Sequence, residues 1–356
     1  MKTFVRRGLY VTAALLLAYS VMLAALNAGL GRWLLEGAAN RALFASAGAF
    51  RCQRVVVTPT LRIRLYGVSA QVPLNRQRIN YSVARFSLDR SLLACWRARR
   101  LTMRVSGGAI KSHDLTVEGI EARFDGPWPG TTSATQPVGH LQIRSLRAGQ
   151  LAVNQLDGAI VQEGAAYRVD PLTMQGYDGE FRGSLVAQLA PSTRVELALD
   201  ASRLHLGELA AFNAEIFRGA QGQFHGTLHI AGDAQHLTVL TGSFLVDEPG
   251  GTIGARFLQG LLVYTPKTVE RTRLKQAGAQ GALVPFTSAS LSVDLADPQH
   301  LKIVFNMAVP EYNFLLNNFV VDTPLEPLQT LSQLPEFVGT VLMSVFDVLG
   351  KLPGKE

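Results

Sequence analysis

From residue 61 onward, apolar and polar side chains alternate with a period of two. The first group comprises Leu61/Ile63/Leu65, Ile79/Tyr81/Val83, Leu101/Met103/Val105, Ile120/Ala122/Phe124 and Leu141/Ile143. The pattern resumes with Leu185/Ala187/Leu189, Val195/Leu197/Leu199, Phe224/Gly226/Leu228/Ile230 and Leu237/Val239. It ends with Leu291/Val293/Leu295 and Leu301/Ile303/Phe305/Met307/Val309. Successive side chains of a strand point to opposite faces, so each group predicts a strand with one apolar face. The groups recur about every ten residues with turn-forming residues between many of them, which is the spacing of an antiparallel meander. The fold class expected is mainly β: a long antiparallel sheet, with one N-terminal transmembrane helix and short amphipathic helices.

Four segments break the alternation. Gly8 to Leu30 is a run of 23 residues without formal charge, preceded by Lys2, Arg6 and Arg7. As a helix it would reach roughly 34 Å, enough for a hydrocarbon core of about 30 Å. The preceding cations orient its start to the cytoplasm. It is long for a cleaved signal peptide and lacks a good small-x-small site, so an uncleaved anchor is expected. Residues 33–50 predict a juxtamembrane amphipathic helix, the charges Arg32, Glu36 and Arg41 recurring at roughly helical spacing. Leu206, Leu209, Ala210, Asn213, Ile216 and Phe217 predict one internal helix near 206–218. Beyond Pro324, Phe337, Val338, Val341, Leu342, Val345, Phe346 and Leu349 form an apolar stripe, either a cap on the sheet or a surface for a membrane or partner. With Gly126-Pro127-Trp128-Pro129-Gly130 as a boundary, the organisation expected is an anchor (1–32), a juxtamembrane helix (33–50), a basic β-rich region (51–126), the main β-groove (131–322) and a C-terminal amphipathic segment (323–356).

Charge changes this picture more than overall composition does. The net charge of +7 conceals a division. Residues 51–104 hold twelve Arg, no Lys and one acid, Asp89. The chain after residue 104 is net −8. A basic collar directly after an anchor attracts anionic headgroups, about 1 kcal/mol for each close cation. Arg62, Arg64, Arg76 and Arg78 are the headgroup-contact candidates. Their alternation with apolar neighbours also fits an ordinary solvated strand face. Because the collar is expected outside the cytoplasm, nucleic acid is not an expected partner. Cys52 and Cys95 would share that oxidising compartment, and the sequence leaves open a disulfide or two separate buried thiols.

Candidate chemistry is sparse. There is no nucleophile-elbow, P-loop or zincin motif. Ser112-His113-Asp114 lie on a predicted strand and alternate in direction, so they do not form a relay among themselves. His225 and His229 would stand about 13 Å apart on a strand, too far to share a metal. Gly250-Gly251-Thr252-Ile253-Gly254 reads as a turn. No enzymatic activity, cofactor, catalytic residue or metal is expected. The informative feature is the extent of apolar strand face with few predicted helices to cover it. In a simple sandwich such a face packs against a second sheet; in an open, curved sheet, with its backbone paired internally, it lines a groove that would hold acyl chains. The candidates are Phe224, Leu228, Ile230, Leu291, Val293, Leu295, Ile303, Phe305 and Met307.

Residues 223–230 (Gln-Phe-His-Gly-Thr-Leu-His-Ile), Gly242-Ser243-Phe244, Glu248-Pro249-Gly250-Gly251 and Gly254-Ala255-Arg256-Phe257-Leu258 occur in this order. Leu291-Ser292-Val293-Asp294-Leu295 and Leu301-Lys302-Ile303-Val304-Phe305-Asn306 follow. Together they resemble the C-terminal region of YdbH-like proteins, within the AsmA/TamB-like repeating β-groove superfamily. The resemblance covers about residues 220–322 and implies a U-shaped groove, inner-membrane anchorage with a periplasmic body, and phospholipid movement toward the outer membrane. Phospholipid, the inner membrane and an outer-membrane or envelope protein are the partners it implies. A dicarboxylate-transport label attached to part of this family finds no site here, since the basic residues Arg271, Arg273 and Lys275 are expected in a loop. A similar layout, one anchor and a β-rich body, occurs in GspN-like type II secretion subunits, so a structural accessory role in an envelope complex is the alternative.

Overall fold

The computed structural model describes residues 17–43, 49–74, 77–112, 115–127, 136–149, 151–164, 166–188, 194–211, 214–233, 237–261, 269–297 and 300–324. The protein is mainly β, and fifteen of its strands form one antiparallel sheet. These begin with β1 (Ala49–Val57), β2 (Ile63–Leu74), β3 (Gln77–Leu88), β4 (Arg100–Lys111), β5 (Leu115–Pro127) and β6 (Gln136–Ala148). Next come β7 (Leu151–Glu163), β8 (Ala166–Gly176), β9 (Gly179–Gln188), β10 (Arg194–His205), β11 (Gln223–Asp233) and β12 (Leu237–Val246). An insertion carries β13 (Gly251–Gly254) and β14 (Leu283–Phe286), which pair only with each other. The sheet resumes with β15 (Ser288–Asp297), β16 (His300–Val309) and β17 (Phe314–Pro324), β12 pairing directly with β15. The chain divides into two compact units, Met1–Arg144 and Ser145–Glu356. That division falls within β6 rather than at the Gly126–Gly130 segment.

In the first unit, residues 17–25 are helical and pass through a π turn, Leu26–Leu30, into α1 (Gly31–Leu43). Gly29 has φ 129°, which only glycine adopts freely, and the helix kinks there. The unbroken helix expected up to Leu30 is therefore corrected. Among the described residues no helix is long and apolar enough to cross a membrane. Residues 8–16 of the predicted span lie outside the described residues.

The second half of this helical segment serves β1. Asn27 Oδ1 accepts from the Val57 amide at 2.8 Å, and its Nδ2 donates to the Val57 carbonyl at 3.0 Å. Glu36 Oε1 accepts from the Cys52 amide at 2.7 Å. Asn40 Oδ1 accepts from the Phe50 amide at 2.7 Å while its Nδ2 donates to the Phe50 carbonyl at 3.2 Å. β1 is the outermost strand, and an edge strand exposes a row of unpaired backbone groups. Three polar side chains thus replace a missing neighbour strand. Leu35 of α1 also packs on a small cluster of Cys52, Val55 and Leu65. The helix expected over 33–50 ends at Leu43, and Phe50 belongs to the strand.

Short helices interrupt the meander. Ser91 caps α2 (Leu92–Ala98), its hydroxyl accepting from the Ala94 amide at 3.2 Å. The internal helix expected near 206–218 is a 3-10 stretch, Leu206–Ala211, followed by one turn, α3 (Ala214–Phe217). The insertion adds α4 (Ala255–Leu261) and α5 (Val269–Ala279). Arg271, Arg273 and Lys275 therefore lie on a helix, not in the expected loop. The C-terminal stripe lies outside the described residues.

Candidate functional site

Strand register in the second unit collects the alternating apolar positions into transverse rows. One row runs Leu199–Leu228–Gly242–Val293–Ile303–Val321 across β10, β11, β12, β15, β16 and β17. The next runs Ala201–Gly226–Phe244–Leu291–Phe305–Phe319 across the same strands. A third joins Leu185, Leu197, Ile230 and Leu240. Glycine at 226 is required by close approach: a Cβ there would lie 2.2 Å from the Ser243 carbonyl and 2.6 Å from the Phe244 ring. The Phe224 and Phe244 rings meet edge-on at 6.2 Å.

All nine sequence-derived candidates join one apolar cluster, but not at one depth. Ile230, Ile303 and Met307 are buried within it, Ile303 to 1% exposure. They are core residues and do not line an accessible face, which corrects the expectation for these three. Phe224, Leu228, Leu291, Val293, Leu295 and Phe305 are half-buried at the margin. The cover comes from the insertion, which sequence periodicity did not reveal. Phe257 and Leu258 of α4, Leu274 of α5, and Ile253, Val284 and Phe286 of the paired strands β13 and β14 all enter the cluster. The Phe257 ring meets Phe305 edge-on at 5.5 Å and 89°. The expectation of too few helices to cover the apolar face is corrected here: two short helices cover part of it. Their signal lay in Phe257, Leu258 and Leu274, apolar positions that do not follow the strand period.

The first unit carries a polar counterpart. Arg62, Arg64, Arg85 and Arg104 line a cavity of about 310 Å³ together with Ser87, Leu88, Asp89 and Ser106. A tight turn sets Arg62 in place: Leu61 adopts φ 55°, and the Arg62 amide donates to Thr58 Oγ1 at 3.0 Å. Leu61 is thus a turn residue and not the first strand position. Register places Arg64, Ser87 and Arg104 side by side on β2, β3 and β4, with Tyr66, Arg85 and Ser106 forming the adjacent row. Ser87 is buried at 6% exposure. Arg85 stacks over the Tyr66 ring at 5.8 Å. Arg104 approaches Asp89 at 4.0 Å, and among the described residues Arg62, Arg64 and Arg85 have no carboxylate partner. Arg62 and Arg64 were legible as candidates; Arg85 and Arg104 were not, because their convergence depends on register. Arg76 lies outside the described residues, and Arg78 is placed only as a position on β3.

The remaining candidates separate. Cys52 and Cys95 are free and individually buried, so the bridge left open by the sequence is not formed. Cys52 Sγ donates to the carbonyls of Arg54 at 3.3 Å and Tyr66 at 3.5 Å, while Cys95 lies on α2. His225 Nδ1 pairs with Asp247 at 2.5 Å and His229 Nε2 with Glu196 at 3.0 Å. Each histidine thus has its own carboxylate on a neighbouring segment. Ser112 precedes residues 113–114, which lie outside the described residues. Burial raises the Tyr177 phenol above its ordinary value, an effect partly offset by the Ala152 amide donating to its oxygen at 3.3 Å.

No protein-family model matches the chain, and no curated protein or solved structure matches it.

Proposed function

We propose that this chain is an inner-membrane-anchored periplasmic protein of a bacterial envelope that binds phospholipid, or transfers it between membranes, along the apolar face of its second unit. This role supports outer-membrane lipid homeostasis and requires no catalytic step. The observation that carries the reading is the half-buried margin. Six large apolar side chains from β11, β15 and β16 stand there, Leu228, Val293, Leu291 and Phe305 of them in cross-strand rows, on a backbone whose hydrogen bonds are paired within the sheet. Acyl chains laid along such a margin remove apolar area from water at about 25 cal/mol per Å². Anchorage is supported by the helical segment, whose Leu17, Val21, Leu30 and Trp33 remain exposed although Asn27, Glu36 and Asn40 are engaged with β1.

The closed part of the same cluster favours a second reading, a structural accessory subunit of an envelope complex such as a GspN-like secretion protein. Photocrosslinking separates the two. A photoreactive residue at Leu228 or Val293 of the full chain, in cells carrying labelled phospholipid, is expected to capture lipid. The same residue at Ile303 is expected to capture only protein. Absence of lipid at both margin positions, with lipid capture at Trp33 as the positive control, would remove the carrier reading and leave the scaffold.

A further inference from the structure

The arginine cavity of the first unit contains more positive charge than the fold itself uses. Four arginines line about 310 Å³ and one carboxylate residue, Asp89, stands among them. On the next strand Arg123 lies directly opposite Arg104, extending the basic row. Like charges facing each other across strands destabilise a sheet, so this clustering costs stability unless an anion occupies it. Two serines, one of them buried, add hydroxyl groups between the arginines. Planar guanidinium forks with hydroxyl neighbours match the tetrahedral oxygens of phosphate.

A second observation indicates where that phosphate comes from. Asp89 leads through Arg90 and Ser91 into α2, and α2 leads back into β4, the strand that carries Arg104. Cys95 holds α2 to the body by full burial. Leu93 and Trp96, three residues apart and so on one side of the helix, are 50% and 68% exposed. Arg90, Arg97 and Arg99 around them are exposed as well. An exposed tryptophan and leucine ringed by arginines have the composition of an interfacial membrane contact, with the aromatic ring at headgroup depth and cations toward anionic lipid. Free phosphate in solution would need the arginines but not the apolar foot.

We infer that the cavity lined by Arg62, Arg64, Arg85 and Arg104 binds the phosphate of an anionic phospholipid headgroup, with Leu93 and Trp96 of α2 seated in the membrane interface beside it. Ser87 and Ser106 donate to the phosphate oxygens, and Asp89 restrains Arg104. The inference rests on the anchored-lipid reading for its ligand source. It is independent of what occupies the second unit.

The test uses the full chain with Trp33→Phe and Trp128→Phe, leaving Trp96 as its tryptophan, in neutral detergent micelles. It is titrated with phosphatidylglycerol bearing brominated acyl chains, with phosphatidylcholine, and with inorganic phosphate. Saturable quenching and a blue shift of Trp96 are expected with phosphatidylglycerol. Arg64→Gln with Arg104→Gln should weaken that binding about thirtyfold, from two close cations. Arg203→Gln, an exposed arginine of the second unit, serves as the charge control and should leave it unchanged. Quenching unaffected by the Arg64/Arg104 change, or equally reduced by Arg203→Gln, would overturn the pocket. Inorganic phosphate binding as tightly as the lipid, without a Trp96 response, would overturn the membrane source. Lost lipid capture at Leu228 with an intact Trp96 response would instead overturn only the carrier reading of the second unit.

Discussion

The two units solve the problem of holding a meander together in different ways. The first has 20 Lys and Arg against 6 Asp and Glu, and the second has 14 against 21. Among the described residues, 8 apolar side chains are buried in the first unit and 27 in the second. The second unit stabilises its sheet with a packed cluster under an inserted pair of helices. Among the described residues the first carries a small cluster of Cys52, Val55 and Leu65, and side-chain hydrogen bonds from its helical segment cover the edge beside it. A unit built this way can gather charge at one end of a strand face, as at Arg62, Arg64, Arg85 and Arg104. A unit built around a core can leave only the margin of that core for a ligand.

The largest expected effect is in the second unit. Leu258 is fully buried where α4 meets the sheet. Leu258→Ala should lower stability by about 2–5 kcal/mol, from lost transfer energy and the cavity left behind. Amide exchange measured strand by strand should show accelerated exchange in β15 and β16, with β2 and β3 unchanged. Equal acceleration in β2 and β3 would break the contrast, because the two regions would then share one stabilising core.

The matching test in the first unit removes polar groups instead. Glu36→Ala with Asn40→Ala leaves the backbone groups of Cys52 and Phe50 without their side-chain partners. An orphaned backbone group costs about 1–3 kcal/mol when it stays buried and less where water replaces the partner. The expected result is an edge loss of about 2 kcal/mol, read as faster amide exchange at Phe50 and Cys52, together with concentration-dependent association through the uncovered edge. Asn40→Asp keeps the acceptor but loses the donor and should fall between. Unchanged exchange at both amides would mean that the helical segment lies along β1 without protecting it.

These contrasts also mark how far the sequence could be read. Strand periodicity located most of the sheet, and it placed the nine apolar candidates on one face because the side-chain period of two survives wherever one face is buried. Depth was not legible. Ile303 and Leu228 have the same pattern in sequence and share one cross-strand row, yet the first is core and the second margin, a difference of covering that the alternation does not carry. The insertion hid because α4 has seven residues and α5 is polar along most of its length, so neither offers a long amphipathic repeat. The expected helix overlapped only the first two residues of β1, and the rest of that strand fell in the expected β-rich region but gave no alternating group, since Arg54 follows Gln53 and Val55 to Val57 run on without a polar break. The basic pocket was half-visible. Arg62 and Arg64 are neighbours in sequence, but Arg85 and Arg104 reach them only through the register of β2, β3 and β4.

The smallest effect concerns the hairpin between β8 and β9, which periodicity also missed. Gly176 pairs with Gly179, so Tyr177 and Asp178 form a two-residue turn, with φ 54° and 56°. Both signs are those of the turn that matches strand twist, though it usually contains Asn or Gly. The Tyr177 phenol accepts from the Ala152 amide, and burial raises its pKa above the ordinary 10.0. At neutral pH the phenol is protonated in both folded and unfolded chains and contributes no pH dependence. As pH rises through 10.0 the unfolded chain loses this proton first, so stability falls until the folded phenol ionises as well. Tyr177→Phe should therefore be less stable by about 1 kcal/mol near neutrality, having lost one hydrogen bond. The deficit should shrink or reverse above pH 10.0, because the variant has no proton to lose at this position. Urea midpoints of the two chains, compared at neutral and alkaline pH, isolate Tyr177 from the other tyrosines, which both chains share. A deficit that stays constant across that range would mean that the phenol ionises as readily in the folded turn as in the open chain.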